Sequence, residues 1–448
     1  MSVQLRSKIL NRFQIAGFTL RSQERHKFVP RQAAGHSGAP RLFGDAGAKA
    51  FFFRERYRLV LEKTSRHQCF SSRRCLPGST GGFDLQPIEH LLGTTGERVV
   101  VLGLLCQLEE GKYFLEDMTG FVQLDTSGTK FTADLFVENS FVLAEGRCDD
   151  AVFRVDAMGL PPIEPATETL KYMGGTSIFD QFPEKVRTQL ELSQVPDNAL
   201  LVLLSDVWLD QPKVLSRLRV LFAGFAQGPP ACFVLAGNFL SHSTGLQRDR
   251  MLLREGFRAL ADMLADFPLL VKHSQFIFVP GPKDPGISNV LPRPGLPCQV
   301  TEPLGASLSD RCHWASNPCR LLYCGRQVVL WRQDGLAKAC RHSVHRPWDK
   351  DMAQMYTRCL AANGHLSPLS LAVTPVFWEW DFALWLHPLP DAVACLDTCD
   401  AFTVEHAGCI FFNPGPFAKT DYGFRVYYPA SKKVEDSQIG SDTSRVME

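Results

Sequence analysis

Three short, almost wholly apolar runs at 200–204, 232–236 and 276–279 alternate with stretches of helical period, and no other feature constrains the fold as much. Strands apolar throughout are covered on both faces, and parallel strands are joined by helical crossovers. The helical pattern at 212–222 turns Val214, Leu215, Leu218 and Leu221 inward, and a longer one covers 248–265. Short apolar runs then recur at 320–323, 327–331, 370–373, 392–395, 408–412 and 424–428. Alternating strands and helices that give way to strands predict a layered α/β sandwich over 199–430. Residues 431–448 are polar and charged, the composition of a disordered tail.

Upstream the period is two. Apolar runs at 99–105, 113–115, 121–124, 141–144 and 152–155 predict five short strands, with one or two helical turns over 130–138. Five strands with a small helix between the third and fourth is the order of an oligonucleotide-binding (OB-fold) barrel, although an unrelated five-strand meander has the same pattern. The barrel is expected over 83–165, closed by Pro161, Pro162 and Pro165, with a linker at 166–198. Before it, Leu5, Ile9 and Phe13 are four apart and predict an amphipathic helix over 3–16, within a basic segment at 1–38. Residues 39–82 read as a connector. Its helix at 49–67 has Phe53, Tyr57 and Leu61 on one face with Arg54, Arg56 and Arg58 around it, and linkers lie at 30–48 and 71–82.

The net charge of +1 hides an asymmetry. Residues 1–74 hold 16 Lys and Arg against 4 Asp and Glu, and the remainder holds 32 against 43. A basic segment beside a mildly acidic body is either an arm for nucleic acid or a partner, or a solvated leader. The first 23 residues lack any acid, which fits a transit peptide and an ordinary helix alike. The 14 cysteines form no Cys-x-x-Cys pair and several sit in apolar runs, a pattern of reduced intracellular proteins rather than of disulfide frameworks. The longest apolar run, 199–204, is far too short to span a membrane.

The predicted strand ends carry the chemistry. They are followed by Ser205-Asp206-Val207-Trp208, Gly237-Asn238-Phe239-Leu240-Ser241, Pro280-Gly281-Pro282-Lys283-Asp284 and Leu396-Asp397-Thr398-Cys399, with Asn413-Pro414-Gly415 downstream. In order and strand context these resemble the motifs of calcineurin-like phosphoesterases, Asp-x-His, Gly-Asp-x-x-Asp, Gly-Asn-His-Asp or Glu, and Gly-His-x-His. Two-metal hydrolysis needs such ligands to hold two cations about 3.5–4 Å apart. The resemblance implies a degenerate site. Trp208 replaces the first His, Asn238 the bridging Asp and Ser241 the second Asp. Pro282 and Lys283 take the places of Asn and His, and Asp397 and Cys399 stand in the last motif. An ammonium group such as that of Lys283 repels a cation. Asp206, Asp284 and Asp397 remain as oxygen donors that either ligate or cap helices and turns. Too few ligands remain for a two-metal clamp, so no catalytic residue, metal or cofactor is expected.

Longer stretches sharpen the resemblance. Phe53-Arg54-Glu55-Arg56-Tyr57, Phe114-Leu115-Glu116-Asp117-Met118-Thr119-Gly120, Phe141-Val142-Leu143-Ala144-Glu145-Gly146, Leu204 to Gln211, Phe278-Val279-Pro280-Gly281-Pro282 and Leu291-Pro292-Arg293-Pro294 resemble the second, non-catalytic subunits of replicative DNA polymerases, most of all the epsilon branch. The likeness runs over about residues 39–437. It implies an OB-fold barrel followed by an inactive calcineurin-like phosphoesterase domain, acting as a non-catalytic scaffold in nuclear DNA replication and repair. The implied partners are the zinc-binding C-terminal domain of the catalytic subunit of DNA polymerase epsilon and the small histone-fold subunits of the holoenzyme. The family's small helical N-terminal domain is reduced here to its first helix, so its tie to the replicative helicase does not carry over.

Other signals are weaker. Cys340, His342 and His345 have zinc-like types but lack a second pair, and read as a surface loop. The aromatic loop with Trp378, Trp380, Phe382 and Trp385 reads as core or interface anchors rather than base-stacking groups. Tyr113, Phe114 and Phe121 on the barrel have Glu109, Glu110, Glu116 and Asp117 as neighbours, so only weak DNA binding is expected there. A metallophosphoesterase and a stand-alone single-strand-binding module are the rival functions.

Overall fold

The structure, a computed structural model, describes residues 40–70, 83–93, 96–173, 195–286, 289–347 and 351–439, and three short strands before them, Ser7–Leu10, Phe18–Arg21 and Lys27–Pro30. The linker expected at 71–82, most of the one expected at 166–198, and residues 440–448 lie outside the described residues.

The barrel strands are Arg98–Glu109, Lys112–Glu116, Phe121–Asp125, Phe141–Asp149 and Val152–Gly159. The first pairs antiparallel with the second and fourth, and the fifth closes the barrel by pairing in parallel with the third, Phe153 opposite Leu124. Closure removes the exposed edges that a simple meander would keep, and is the OB-fold connectivity. The small helix expected over 130–138 does not form. Lys130–Phe131 pairs with the fifth strand, and Phe136–Val137 pairs with Ser343–His345 of the following domain. Leu135, Phe136 and Val137 are all buried, and three consecutive buried residues do not suit a one-sided helical turn.

The second domain is two six-stranded sheets packed face to face. In the first, Cys312–Trp314, Gln275–Val279, Cys232–Ala236 and Leu201–Leu204 run parallel, followed by antiparallel Gly423–Tyr428 and Lys433–Gln438. The second sheet has the order Ser7–Leu10, Cys319–Tyr323, Arg326–Leu330, Ala392–Ala394, Cys409–Asn413, Phe402–His406. Strand alternation sorts the core: Leu201 and Leu203 face the second sheet, while Val202 and Leu204 face the helices Pro212–Phe225 and Leu246–Ala265.

Several expectations are corrected. Of the helix expected over 3–16, the described residues Ser7–Leu10 form an edge strand instead, Ile9 opposite Leu321, and the others lie outside the described residues. A lone short helix is marginal in water, whereas an open sheet edge offers a full row of hydrogen-bonding groups. Residues 433–438 belong to a strand, not a disordered tail, because Gly423–Tyr428 supplies the same template. The strand expected at 370–373 is a turn, in which Val373 and Thr374 both donate to the Ser370 carbonyl. Part of the expected linker is the helix Ala166–Tyr172. The helices Cys298–Leu308 and Met352–Asn363 add to the predicted set.

The helix Ala46–Arg66 is a wedge between the two domains. Asp45 caps it, accepting from the Ala48 amide at 2.9 Å. Tyr57 and Val60 pack on Leu102, Leu104 and Phe141 of the barrel, and Leu59 packs on Trp380, Phe382 and Trp385 of the sandwich. The predicted aromatic loop 378–385 is thus an anchor. Arg56 completes the wedge: its Nε donates to Asp381 Oδ2 at 3.0 Å and its Nη2 to Oδ1 at 2.5 Å, and Trp385 Nε1 donates to Oδ2 at 3.1 Å. The barrel core runs on without a break into the outer face of the second sheet. Val101, Leu115, Phe136 and Phe153 share one cluster with Val329, Trp331, Val393 and Phe411. Among the described residues no helix is long and apolar enough to cross a membrane.

Candidate functional site at the strand ends

The four predicted motifs do converge, at the carboxyl ends of strands from both sheets, where sites form in open α/β folds. Asp206 follows Leu201–Leu204 in the left-handed conformation, φ 52°. A non-glycine residue held there costs on the order of 1–3 kcal/mol and persists only where its surroundings fix it. Here they do: Asp206 Oδ1 accepts from the Asn238 amide at 2.9 Å, from Asn238 Nδ2 at 3.1 Å and from Arg332 Nη2 at 2.9 Å. The Asn238 side-chain oxygen accepts from the Lys283 amide at 2.9 Å. Asn238 therefore ties two loops by hydrogen bonds to both ends of its amide.

Asp284 is buried and accepts from the Phe239 amide at 2.8 Å and the Gly281 amide at 2.7 Å. Burial raises its pKa to about 6, against the lowering effect of those amides, Arg293 and Arg332. Buried Arg293 reaches the carbonyls of Gly281 and Asp284 and fastens the same loop. Asp397 Oδ2 accepts from the Gly335 and Leu336 amides at 2.7 and 3.0 Å, at the start of the helix Gly335–Arg341, so it caps that helix. Burial, the largest influence, leaves its pKa raised.

The side chains at the remaining predicted positions do not join these hydrogen bonds, although the Cys399 amide donates to Asp397 Oδ1 at 3.2 Å. Trp208 is half-buried, with Lys419 Nζ 5.6 Å from the centre of its ring. The Ser241 hydroxyl donates to Asp210 Oδ2 at 2.5 Å. Pro282 is half-buried and Lys283 exposed. Cys399 accepts weakly from Asn413 Nδ2 at 3.3 Å, and burial pushes its thiol far up. Cys340, His342 and His345 do not assemble: His345 stacks on Phe131 at 4.0 Å, and Cys340 Sγ lies 3.9 Å from Met352 Sδ. Neither set fits a metal. Among the described residues no group of three or more His, Cys, Asp or Glu converges as a metal site requires.

Sequence reasoning missed the residues that organise the cradle. Arg332, fully buried, donates from Nη2 to Asp206 and from Nη1 to Asp334 Oδ1 at 2.7 Å, and its Nε reaches the Gly237 carbonyl. Asn317 holds the Arg332 backbone, accepting from its amide at 3.1 Å and donating to its carbonyl at 2.5 Å. No local motif marks these residues; the partners of Arg332 on the first sheet, Asp206 and Gly237, are 126 and 95 positions away.

Two glycines make the convergence possible. A Cβ at Gly237 would lie 1.9 Å from Asp284 Oδ2, and one at Gly335 would lie 2.0 Å from the Tyr356 hydroxyl. Gly237→Ala is therefore expected to destabilise the chain by about 2–3 kcal/mol through overpacking. Urea titration checks this; an unchanged midpoint would mean that the Asp284 loop can move aside freely.

Comparison with known proteins agrees with this architecture. Residues 201–404 match the family model for the B-subunit of DNA polymerases alpha and epsilon, and residues 46–162 match the model described as DNA polymerase epsilon subunit 2-like, OB-fold domain. The chain is 40% identical over 441 residues to DNA polymerase epsilon subunit 2 of Bos taurus, covering 96% of this chain and 83% of that one. It is 39% identical to the Drosophila melanogaster subunit 2, covering 90% and 76%, and 27% identical to the DNA polymerase epsilon B-subunit of Schizosaccharomyces pombe, covering 95% and 75%. A solved archaeal phosphodiesterase is similar over 54% of this chain and 99% of its own, at 13% identity and TM-score 0.30. An OB-fold barrel, a two-sheet sandwich whose strand-end carboxylates are taken up by amides and a guanidinium, and this extent of identity lead to one assignment: the chain belongs to the DNA polymerase epsilon subunit 2 family, as an accessory subunit.

Proposed function

We propose that this chain is the scaffold that holds the C-terminal zinc-binding domain of the polymerase epsilon catalytic subunit, in a nuclear holoenzyme with the small histone-fold subunits that replicates and repairs chromosomal DNA. One observation carries the reading. A groove of about 820 Å³ runs between the wedge helix and the barrel, and its barrel side presents Leu108, Met118 and Phe121, which are 55%, 44% and 63% exposed. Large apolar side chains grouped at a groove mark a protein contact rather than a solvated face. Glu116, Asp117 and Glu138 line the same groove against Lys49 and Arg54, so its lining is not the basic surface that phosphate contacts depend on. Polymerisation lies in the catalytic subunit, and DNA contact by this chain is weak or indirect.

The test is co-expression of the full chain with the catalytic subunit's C-terminal domain, read by size-exclusion chromatography. A stoichiometric, salt-resistant complex is expected, since an apolar contact is little screened by salt. The triple variant Leu108→Glu, Met118→Glu, Phe121→Glu is expected to weaken it by about 100-fold or more, because charged groups would be buried without partners. A folded, monodisperse chain that forms no complex would overturn the scaffold function. A complex indifferent to the triple variant would move the contact to another face.

A further inference from the structure

We infer that Arg332 is a built-in cation that takes over the part a bound metal plays in calcineurin-like domains, holding together strand ends that would otherwise present unpaired carboxylates to each other. The positions that the sequence resemblance gives to the first two ligand motifs, Asp206 and Gly237-Asn238, are the ones its guanidinium touches. Nη2 binds Asp206 Oδ1 at 2.9 Å, and Nε binds the Gly237 carbonyl. Nη1 binds Asp334 Oδ1 at 2.7 Å, and that oxygen also accepts from Thr398 Oγ1 at 3.1 Å, beside Asp397. One side chain thus joins the end of Leu201–Leu204 and the end of Cys232–Ala236, in one sheet, to the end of Arg326–Leu330 in the other, and through Asp334 to the segment after Ala392–Ala394.

The chemistry suits the substitution. A metal clamp and a guanidinium both neutralise carboxylates, but a guanidinium presents donors in a fixed planar fork and needs no exogenous ion. Arg332 is 0% exposed and carries two ion pairs, at Asp206 and Asp334. Their attraction outweighs the cost of its burial and holds the group firmly charged. The site then resists a metal in two ways: the cation position is filled, and the neighbouring ligand positions hold Asn238 and Lys283, one neutral and one positive. Loss of the metal and retention of the fold are compatible because the countercharge moved from solution into the chain.

The inference is tested on the full chain with Mn²⁺ and methylguanidinium as probes. Wild type is expected to show no Mn²⁺ binding by electron paramagnetic resonance and no change of Tm in millimolar Mn²⁺. Arg332→Ala is expected to lower Tm by about 5 °C or more. Methylguanidinium or Mn²⁺ is expected to restore part of that loss, and the rescue should vanish when Asp206→Asn is added. Wild type that binds Mn²⁺ at the cradle, or an Arg332→Ala chain that neither probe rescues, would overturn the inference. If Arg332→Ala does not fold, Arg332→Lys and Arg332→Met decide it through the yield of soluble, monodisperse chain. The lysine variant, which keeps the charge, is expected to be recovered in clear excess over the neutral one. Equal recovery would overturn the inference, because shape rather than charge would then be what the cradle needs.

Discussion

Asp381→Ala is expected to lower the stability of the chain by about 4 kcal/mol, because breaking a buried ion pair from one side leaves the other charge stranded. Asp381 receives both donors of Arg56, the indole of Trp385 and, at 3.3 Å, His365 Nε2. Truncation strands a buried guanidinium and an indole N–H at the seam where the wedge helix meets the sandwich. Burial alone would raise the Asp381 pKa, but Arg56 and His365 overcome it and hold the carboxyl well below the usual range. The pH sign follows from that depression: the stabilisation is fully present above the unfolded carboxyl's pKa near 4 and is lost as pH falls through the lower folded value. Guanidinium chloride would mask charge effects, so urea denaturation at pH 7 is the appropriate measurement. The double variant Arg56→Met, Asp381→Leu should recover much of the loss, since it removes the stranded guanidinium and leaves the Trp385 indole N–H as the smaller residual cost. A double variant no better than Asp381→Ala would mean that the packing of the loop, not the charge pair, holds the seam.

Lys63 is expected to give a second pH dependence, at higher pH. Its Nζ is buried beneath the end of the helix Met352–Asn363, where it donates to the carbonyls of Ala361 and Ala362. Those are carbonyls of the helix's last turn, where intrahelical donors run out; Ala361 also accepts from the Gly364 amide at 3.2 Å. Two acceptors match the two N–H groups of a neutral amine. Burial lowers the Lys63 pKa to about 7; Glu164 opposes this and Arg66 adds to it. For a base whose folded pKa is depressed, the stabilisation is fully present above the unfolded pKa near 10.4 and is lost as pH falls through about 7. Over that window the wild type should gain up to about 1.4 kcal/mol per pH unit relative to Lys63→Met, on the order of 4 kcal/mol in total. Parallel urea titrations of the two chains between those limits read it out. Curves that stay parallel would show that Lys63 titrates as an ordinary exposed amine.

Much of this molecule is legible in the sequence where the information is local. Alternation marks Phe141–Asp149 and Val152–Gly159, each with a wetter and a drier face, whereas Arg98–Glu109 is an apolar run because the helix Ala46–Arg66 covers its outer face at Leu102 and Leu104. The apolar runs at 200–204, 232–236 and 276–279 suit only covered strands, and every residue in them but half-buried Leu200 is buried. The chemistry of single positions is legible for the same reason: a tryptophan at 208 or a lysine at 283 states its own wherever it points. Pairs made across long separations are not. Arg332 gains its meaning from Asp206, 126 residues away, and Arg56 from Asp381, 325 residues away. The errors at 7–10 and 433–438 share a cause, since an edge strand is dictated by the template beside it rather than by its own pattern.

The unbroken core from the barrel into the outer face of the second sheet also has a mechanical consequence. Two modules on a flexible tether would each follow their own partner. Here a pull on the barrel is transmitted to the sandwich through close-packed side chains, which yield little to compression. The chain is thus a strut of fixed length, and whatever is fastened at its two ends is kept at a set spacing and bearing.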